Sequence, residues 1–150
     1  MWLDEARETY AAVVPAVPRA YREPVLAFLD APPPAGGPPP VFSHNDLGIE
    51  HVLVDPDTWR VTGVIDWSDA AIVDPAHDFG LVLRDLGPDA LRRALRGYAA
   101  DAHVAEAIAE RAAFYARCGV LEDLAYGVET GRRSYLDKSL AGLRWLFPAG

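Results

Sequence analysis

Apolar residues at Leu3, Ala6, Tyr10, Val13 and Val14 recur at three- and four-residue spacing, the signature of one buried helix face. Pro15, Pro18 and Pro24 interrupt the span 3–29, which therefore divides into two shorter helices. Ala31 to Pro40 (APPPAGGPPP) has no periodicity and too few backbone donors for a ladder, so it predicts an extended loop. The pattern then changes to short β-branched runs. Val41–Ser43, His51–Val54 and Val61–Ile65 read as strands, the last two separated by the turn residues Asp55-Pro56-Asp57-Thr58. From Pro75 onward the pattern is helical. Ala76–Leu86 has Asp74 as its N-cap, Pro75 at its first position and Gly87-Pro88 as its stop. Ala90–Ala100, Val104–Arg117, Leu121–Glu129 and Ser134–Phe147 follow, punctuated by Gly119, Gly131 and Pro148. The expected fold class is α+β, mostly helical, with a small β-hairpin region packed on a helical body.

Composition narrows the function classes. The 150 residues suit one domain with a single core. A net charge of −8 argues against a nucleic-acid partner, because phosphate backbones reward clustered cations; it is compatible with a cationic small molecule. There is no apolar run of about 18 residues and no basic-then-apolar leader pattern, so the expectation is a cytoplasmic protein without a membrane partner. One cysteine, Cys118, excludes an internal disulfide and reads as a small buried apolar residue. The chain has a single lysine, Lys138, near its C-terminus.

The candidate chemistry lies between Phe42 and Phe79. A short strand delivers His44 and Asp46 into a loop, and His51 follows at the start of the next strand. The returning strand ends in Asp66, next to Trp67. A hairpin with this layout brings Asp46, His51 and Asp66 to one end of the paired strands. Two carboxylates and a nitrogen ligand suit a divalent cation plus a general base, which are the parts that phosphoryl transfer needs.

These residues give a specific resemblance. His44-Asn45-Asp46, His51-Val52-Leu53-Val54-Asp55, Gly63-Val64-Ile65-Asp66-Trp67 and the later Asp74-Pro75 and Asp78 are similar to the motifs of the aminoglycoside phosphotransferase family, over residues 41–80. The resemblance implies a protein-kinase-like C-terminal lobe: a helical lead-in over 1–30, a Pro/Gly loop over 31–40, catalytic and metal loops over 41–80 and a helical body over 81–150. It implies a kinase that moves the terminal phosphate of ATP or GTP, with Mg2+, to a hydroxyl of a small molecule such as an aminoglycoside-like antibiotic. In that frame Asp46 is the catalytic carboxylate, and His51 and Asp66 hold the metal. His44 and Asp78 support the catalytic loop. His51 stands where the family usually has asparagine, as in members resembling the aminoglycoside 2″-type and macrolide enzymes.

Other residues have plainer readings. Asp78-Phe79-Gly80 spells a kinase metal motif but falls in the helix after Pro75, so Asp78 reads as structural. His103 reads as solvated, Trp59, Trp67 and Trp145 as core or rim packing, and Glu122, Asp123, Glu129 and Asp137 as a solvated helix face. No Gly-rich phosphate loop and no strand lysine precede Asp46, and Lys138 is too far downstream to serve as one, so the expectation is that the N-lobe is absent. The chain alone would then be incomplete or inactive. Self-association or a separate N-lobe chain would cover the exposed apolar surface. Two alternatives stay open: a non-catalytic C-lobe that binds a small cationic ligand or a partner chain, and a metallohydrolase built on His44, Asp46, His51 and Asp66.

Overall fold

A computed structural model describes residues 2–99 and 101–148; the predicted helix end at Ala100 and the outermost terminal residues lie outside that range. Helix α1 (Trp2–Val13) buries Ala6, Tyr10 and Val13 of the predicted stripe, while Leu3 is half-buried and Val14 falls in the turn that follows. A 3-10 turn at Val14–Ala16 carries Pro15, and α2 (Arg19–Asp30) follows with Pro24 inside it. Arg7 of α1 donates from Nε and Nη2 to the Leu29 carbonyl, which satisfies an acceptor the end of α2 would otherwise leave open. Residues 32–40 form no regular element. Arg111 holds this loop by donating to the carbonyls of Pro34 and Gly36.

The β region contains two antiparallel pairs rather than one hairpin. Strands β2 (Val52–Val54) and β3 (Val61–Val64) form the expected pair. Strand β1 (Val41–Ser43) pairs with β4 (Ala71–Val73), in the register Phe42 opposite Ile72. Sequence patterning did not reveal β4. His51 is the last residue of a 3-10 turn (Ile49–His51) instead of a strand residue.

Helices α3 (Ala76–Leu86), α4 (Pro88–Tyr98), α5 (Ala102–Thr130) and α6 (Arg133–Leu146) make the body. Asp74 Oδ1 accepts from the Ala76 amide, the expected capping contact at the start of α3. Asp101 caps α5 by accepting from His103 and Val104, and Gly131 ends it at φ +70, a left-handed value that glycine adopts without strain. The two helices expected over Val104–Arg117 and Leu121–Glu129 are one. Gly119 does not break α5; it is buried there, facing the Arg84 side chain. This long helix is the spine of the core. Ile108, Ala112, Ala116, Val120, Leu121 and Leu124 are all fully buried along it. Cys118 is buried too, and burial pushes its thiol up to about 12, which leaves it unreactive. Each fully buried Val, Leu or Ile side chain in this core contributes roughly 1.5–3 kcal/mol.

Close packing of α3 on α5 depends on a missing side chain. A Cβ on Gly80 would lie 2.9 Å from Tyr115 Cβ and 3.0 Å from the Ala112 carbonyl oxygen. Backbone cannot yield as a flexible side chain would. Gly80→Val is therefore expected to cost about 2 kcal/mol through overpacking. The urea midpoint would fall with an unchanged m-value.

Three helices meet in a buried ion network. Arg84 of α3 holds Asp85 through Nε (2.7 Å) and Nη2 (3.0 Å), and meets Asp123 of α5 at 3.2 Å. Lys138 of α6 approaches Asp123 at 2.9 Å and Asp85 at 3.4 Å. The expectation of a solvated face therefore fails at Asp123, whose side chain is 16% exposed. Burial alone would raise the Asp85 carboxyl, but the Arg84 bonds and the charges of Arg84 and Lys138 outweigh it and hold the group below the usual carboxylate value. A depressed acid pKa stabilises the fold above the unfolded-state value, and that contribution is lost as pH falls through the folded-state value. Stability should thus decline as pH falls below the usual carboxylate range, and the Asp85→Asn variant should show a shallower decline in urea titrations.

Candidate active site

The β2–β3 ladder explains why the flagged residues converge. Val52 faces Val64 in register, and one step outward the Ile65 amide donates to the His51 carbonyl at 3.0 Å. Asp66, next after Ile65, therefore emerges beside His51. On the other side, the Gly48 amide bonds the Asp46 carbonyl (2.9 Å) and the His51 amide bonds the Gly48 carbonyl (3.0 Å). This tight bend folds Asp46 back against the same histidine.

The His51 ring lies between the two carboxylates. Its Nδ1 is 2.7 Å from the Asp46 carbonyl oxygen and 3.7 Å from Asp46 Oδ2. Its Nε2 is 3.7 Å from Asp66 Oδ2. A carbonyl only accepts, so Nδ1 carries the proton and donates, and in the neutral ring the Nε2 lone pair faces Asp66. The bond to the Asp46 carbonyl holds His51 above the usual imidazole value, against the opposing effect of burial; the charges of Asp46, Glu50 and Asp66 add to it. Asp66 is held below the usual carboxylate value, mainly by the Ser68 hydroxyl, which donates to Oδ1 at 2.8 Å. Asp46 and Asp66 approach opposite nitrogens of the ring, so the three side chains do not form one cage. Among the described residues no group of three or more His, Cys, Asp or Glu side chains could enclose a cation.

Two residues brace the bend. His44 is 4% exposed and its Nε2 donates to the Ile65 carbonyl at 2.8 Å, which joins the loop of Asp46 to the strand end of Asp66. Asp78, in the first turn of α3, accepts from the Asn45 amide (3.1 Å) and the Leu47 amide (3.3 Å), the residues flanking Asp46. Asn45 and Asp66 both have left-handed backbones, at φ +66 and +60, conformations that Asn and Asp tolerate better than most residues. The Asn45 side chain donates to the Asp69 carbonyl, a further tie that sequence reasoning passed over and that no motif announces.

The aromatics divide. Trp145 is half-buried and donates to the Leu83 carbonyl. Trp67 is half-exposed, stacked on Phe42 and in contact with the His44 ring. Trp59 is 79% exposed on the β2–β3 turn, so core packing does not describe it. His103 is exposed, as expected. A cleft of about 340 Å³ opens next to the His51 turn, lined by Ile49, Glu50, Ser134, Tyr135 and Lys138. A larger cleft of about 620 Å³ lies between α1, the proline loop and α5 and contains none of the flagged residues.

The family described as "Phosphotransferase enzyme family" matches residues 2–115. Viomycin phosphotransferase of Streptomyces vinaceus is 36% identical over 130 residues, covering 84% of this chain and 42% of that protein. The structure of the GDP complex of aminoglycoside 2'-phosphotransferase-IIIa superposes with a TM-score of 0.63 at 20% identity, covering 94% of this chain and 50% of that one. Macrolide 2'-phosphotransferase type I superposes at 0.53 with 28% identity, covering 94% of this chain and 47% of that one. The chain thus spans about half the length of these relatives.

Proposed function

Since the chain belongs to the phosphotransferase enzyme family, we propose that it supplies the catalytic loop and metal-binding side of a nucleotide-dependent kinase acting on a hydroxyl of a small molecule. The observation that carries this reading is the placement of Asp46 and Asp66 on opposite nitrogens of one histidine. That placement separates a proton-accepting carboxylate from a ligand pair. Asp46, 49% exposed at its side chain, is open to an acceptor hydroxyl. It orients the hydroxyl and takes its proton as the new oxygen–phosphorus bond forms and the bond to the nucleoside diphosphate breaks.

Asp66 Oδ2 would hold a magnesium ion as its oxygen ligand, with His51 Nε2 beside it as a ligand less suited to that ion than an amide oxygen. The ring presents a lone pair toward a carboxylate, and a hard cation of this kind needs only one or two protein ligands when substrate phosphates and water complete its shell. When bound, the ion would neutralise charge on the transferring phosphate. His44 and Asp78 hold the Asp46 bend against the Asp66 strand end, which preserves the separation of the two roles. The nucleotide is ATP or GTP by analogy with a relative solved with GDP. The acceptor belongs to the class of hydroxylated antibiotics on which the named relatives act, and the cleft beside Glu50 offers it space near the catalytic loop. The protein's site is cytoplasmic on this reading, since ATP and GTP are cytoplasmic substrates.

Labelled nucleotide incubated with the chain, complemented by a nucleotide-binding lobe, and a panel of aminoglycoside, macrolide and peptide antibiotics tests the proposal. Mass spectrometry should show one acceptor gaining a phosphate. Metal-dependent phosphate release that needs no nucleotide would overturn the proposal in favour of a hydrolase.

A further inference from the structure

The turn that ends in His51 is gripped from outside by the buried ion network. The Ile49 amide donates to Asp85 Oδ2 at 3.1 Å, and the Asp85 side chain has no exposure to solvent. Lys138, already bound to Asp85 and Asp123, also reaches the Glu50 carboxylate at 3.6 Å. That carboxylate folds back over Gly48, where a Cβ would lie 2.6 Å from it. Both residues that precede His51 are thus held by side chains from separate helices. A buried network of this kind is often no more stabilising than apolar side chains of the same volume, so stability alone does not account for it. Its contacts with one short turn do.

We propose that Asp85 and Lys138, with Arg84 as their partner, are positioning residues that fix the Ile49–His51 turn and so keep His51 Nε2 opposite Asp66. Asp85 is the central member. It is the only one of the three bonded to the backbone of the turn, and Arg84 occupies both of its oxygens so that the carboxylate cannot rotate away. The device resembles a second support behind a ligand: its partners set the orientation of the imidazole without touching substrate. The purpose assigned to it rests on the phosphotransfer reading, but the positioning itself is measurable without nucleotide or acceptor.

Amide hydrogen exchange and nitrogen-15 spectra of the His51 ring, recorded where the ring is neutral, compare the wild-type chain with Asp85→Ala and Asp85→Asn. The wild type should show the Nδ1-protonated tautomer. In Asp85→Ala the Ile49 amide should exchange roughly tenfold to a hundredfold faster, and still faster than the limit that global unfolding of the same variant, measured by urea titration, sets. The two His51 tautomers should then mix, and Asp85→Asn, which keeps an acceptor oxygen, should largely restore the wild-type signature. Three results overturn the proposal: unchanged Ile49 exchange, Ile49 exchange no faster than global unfolding of the variant allows, or a His51 tautomer that does not respond. If Asp85→Ala does not fold, Asp85→Asn decides the matter. It should still accelerate Ile49 exchange by roughly threefold to tenfold, because a neutral acceptor is weaker than a charged one, and no acceleration overturns the proposal. The phosphotransfer reading fails separately, in the acceptor assay.

Discussion

Replacing Asp46 with alanine is expected to lower phosphotransfer turnover by roughly 10²–10⁴-fold, measured at saturating nucleotide in any preparation that turns over. The size follows from what the carboxylate does. It takes a proton only as the acceptor oxygen attacks, so its removal raises the barrier without much changing ground-state binding of the acceptor. The fold should survive the change, because the part of Asp46 that structures the bend is its carbonyl oxygen, bonded by the Gly48 amide and His51 Nδ1. A circular dichroism melt close to wild type together with the turnover loss is the expected pair of results. A loss of only a few-fold would remove Asp46 from the proton-accepting role.

The largest expected effect on stability belongs to Arg84→Leu. The guanidinium is buried and holds Asp85 with two bonds, and it meets Asp123 as well. Leucine would leave two carboxylates in the interior with Lys138 as their remaining cation. Removing one partner from a buried ionic group leaves a desolvated charge without compensation, at a cost of roughly 3–5 kcal/mol. A domain of this size has about 5–15 kcal/mol in total, so the variant should approach the unfolding threshold. A urea titration measures the loss directly, and a change below about 1 kcal/mol would mean that solvent reaches the network and screens it.

Much of the fold was legible wherever a signal is local. The α1 stripe, the proline-rich loop and both ends of α3 follow from single residues whose backbone preferences act on the spot. Strand β4 had no such signal, since three residues carry no period and their partner β1 is distant in sequence. Gly119 misled for a different reason. A glycine ends a helix when it takes up a left-handed backbone, as Gly131 does at φ +70, whereas Gly119 remains in the helix, where even a Cβ would meet Arg84 only at ordinary contact distance. Trp59 shows that a large aromatic on a tight turn can remain outside the core.

The candidate site divides in the same way. The approach of Asp66 to His51 was readable because a hairpin brings its own ends together, whereas Asp46 reaches the ring through the Gly48 bend and the three do not enclose one cation. The support behind it was not. Asp85, Asp123 and Lys138 look like ordinary surface charges until packing of α3, α5 and α6 places them around one buried point. Lys138 is the single lysine, and its ammonium lies 3.6 Å from the Glu50 carboxylate in the turn that ends in His51.

Paramagnetic broadening by Mn2+ in the presence of nucleotide tests the central claim most directly, since it detects even weak occupancy. Resonances of His51, Ile65, Asp66 and Trp67 should broaden first, with chelator reversing the effect and Asp66→Ala abolishing it. Broadening centred on the acidic residues of α5, or broadening at His51 that persists in Asp66→Ala, would contradict the account.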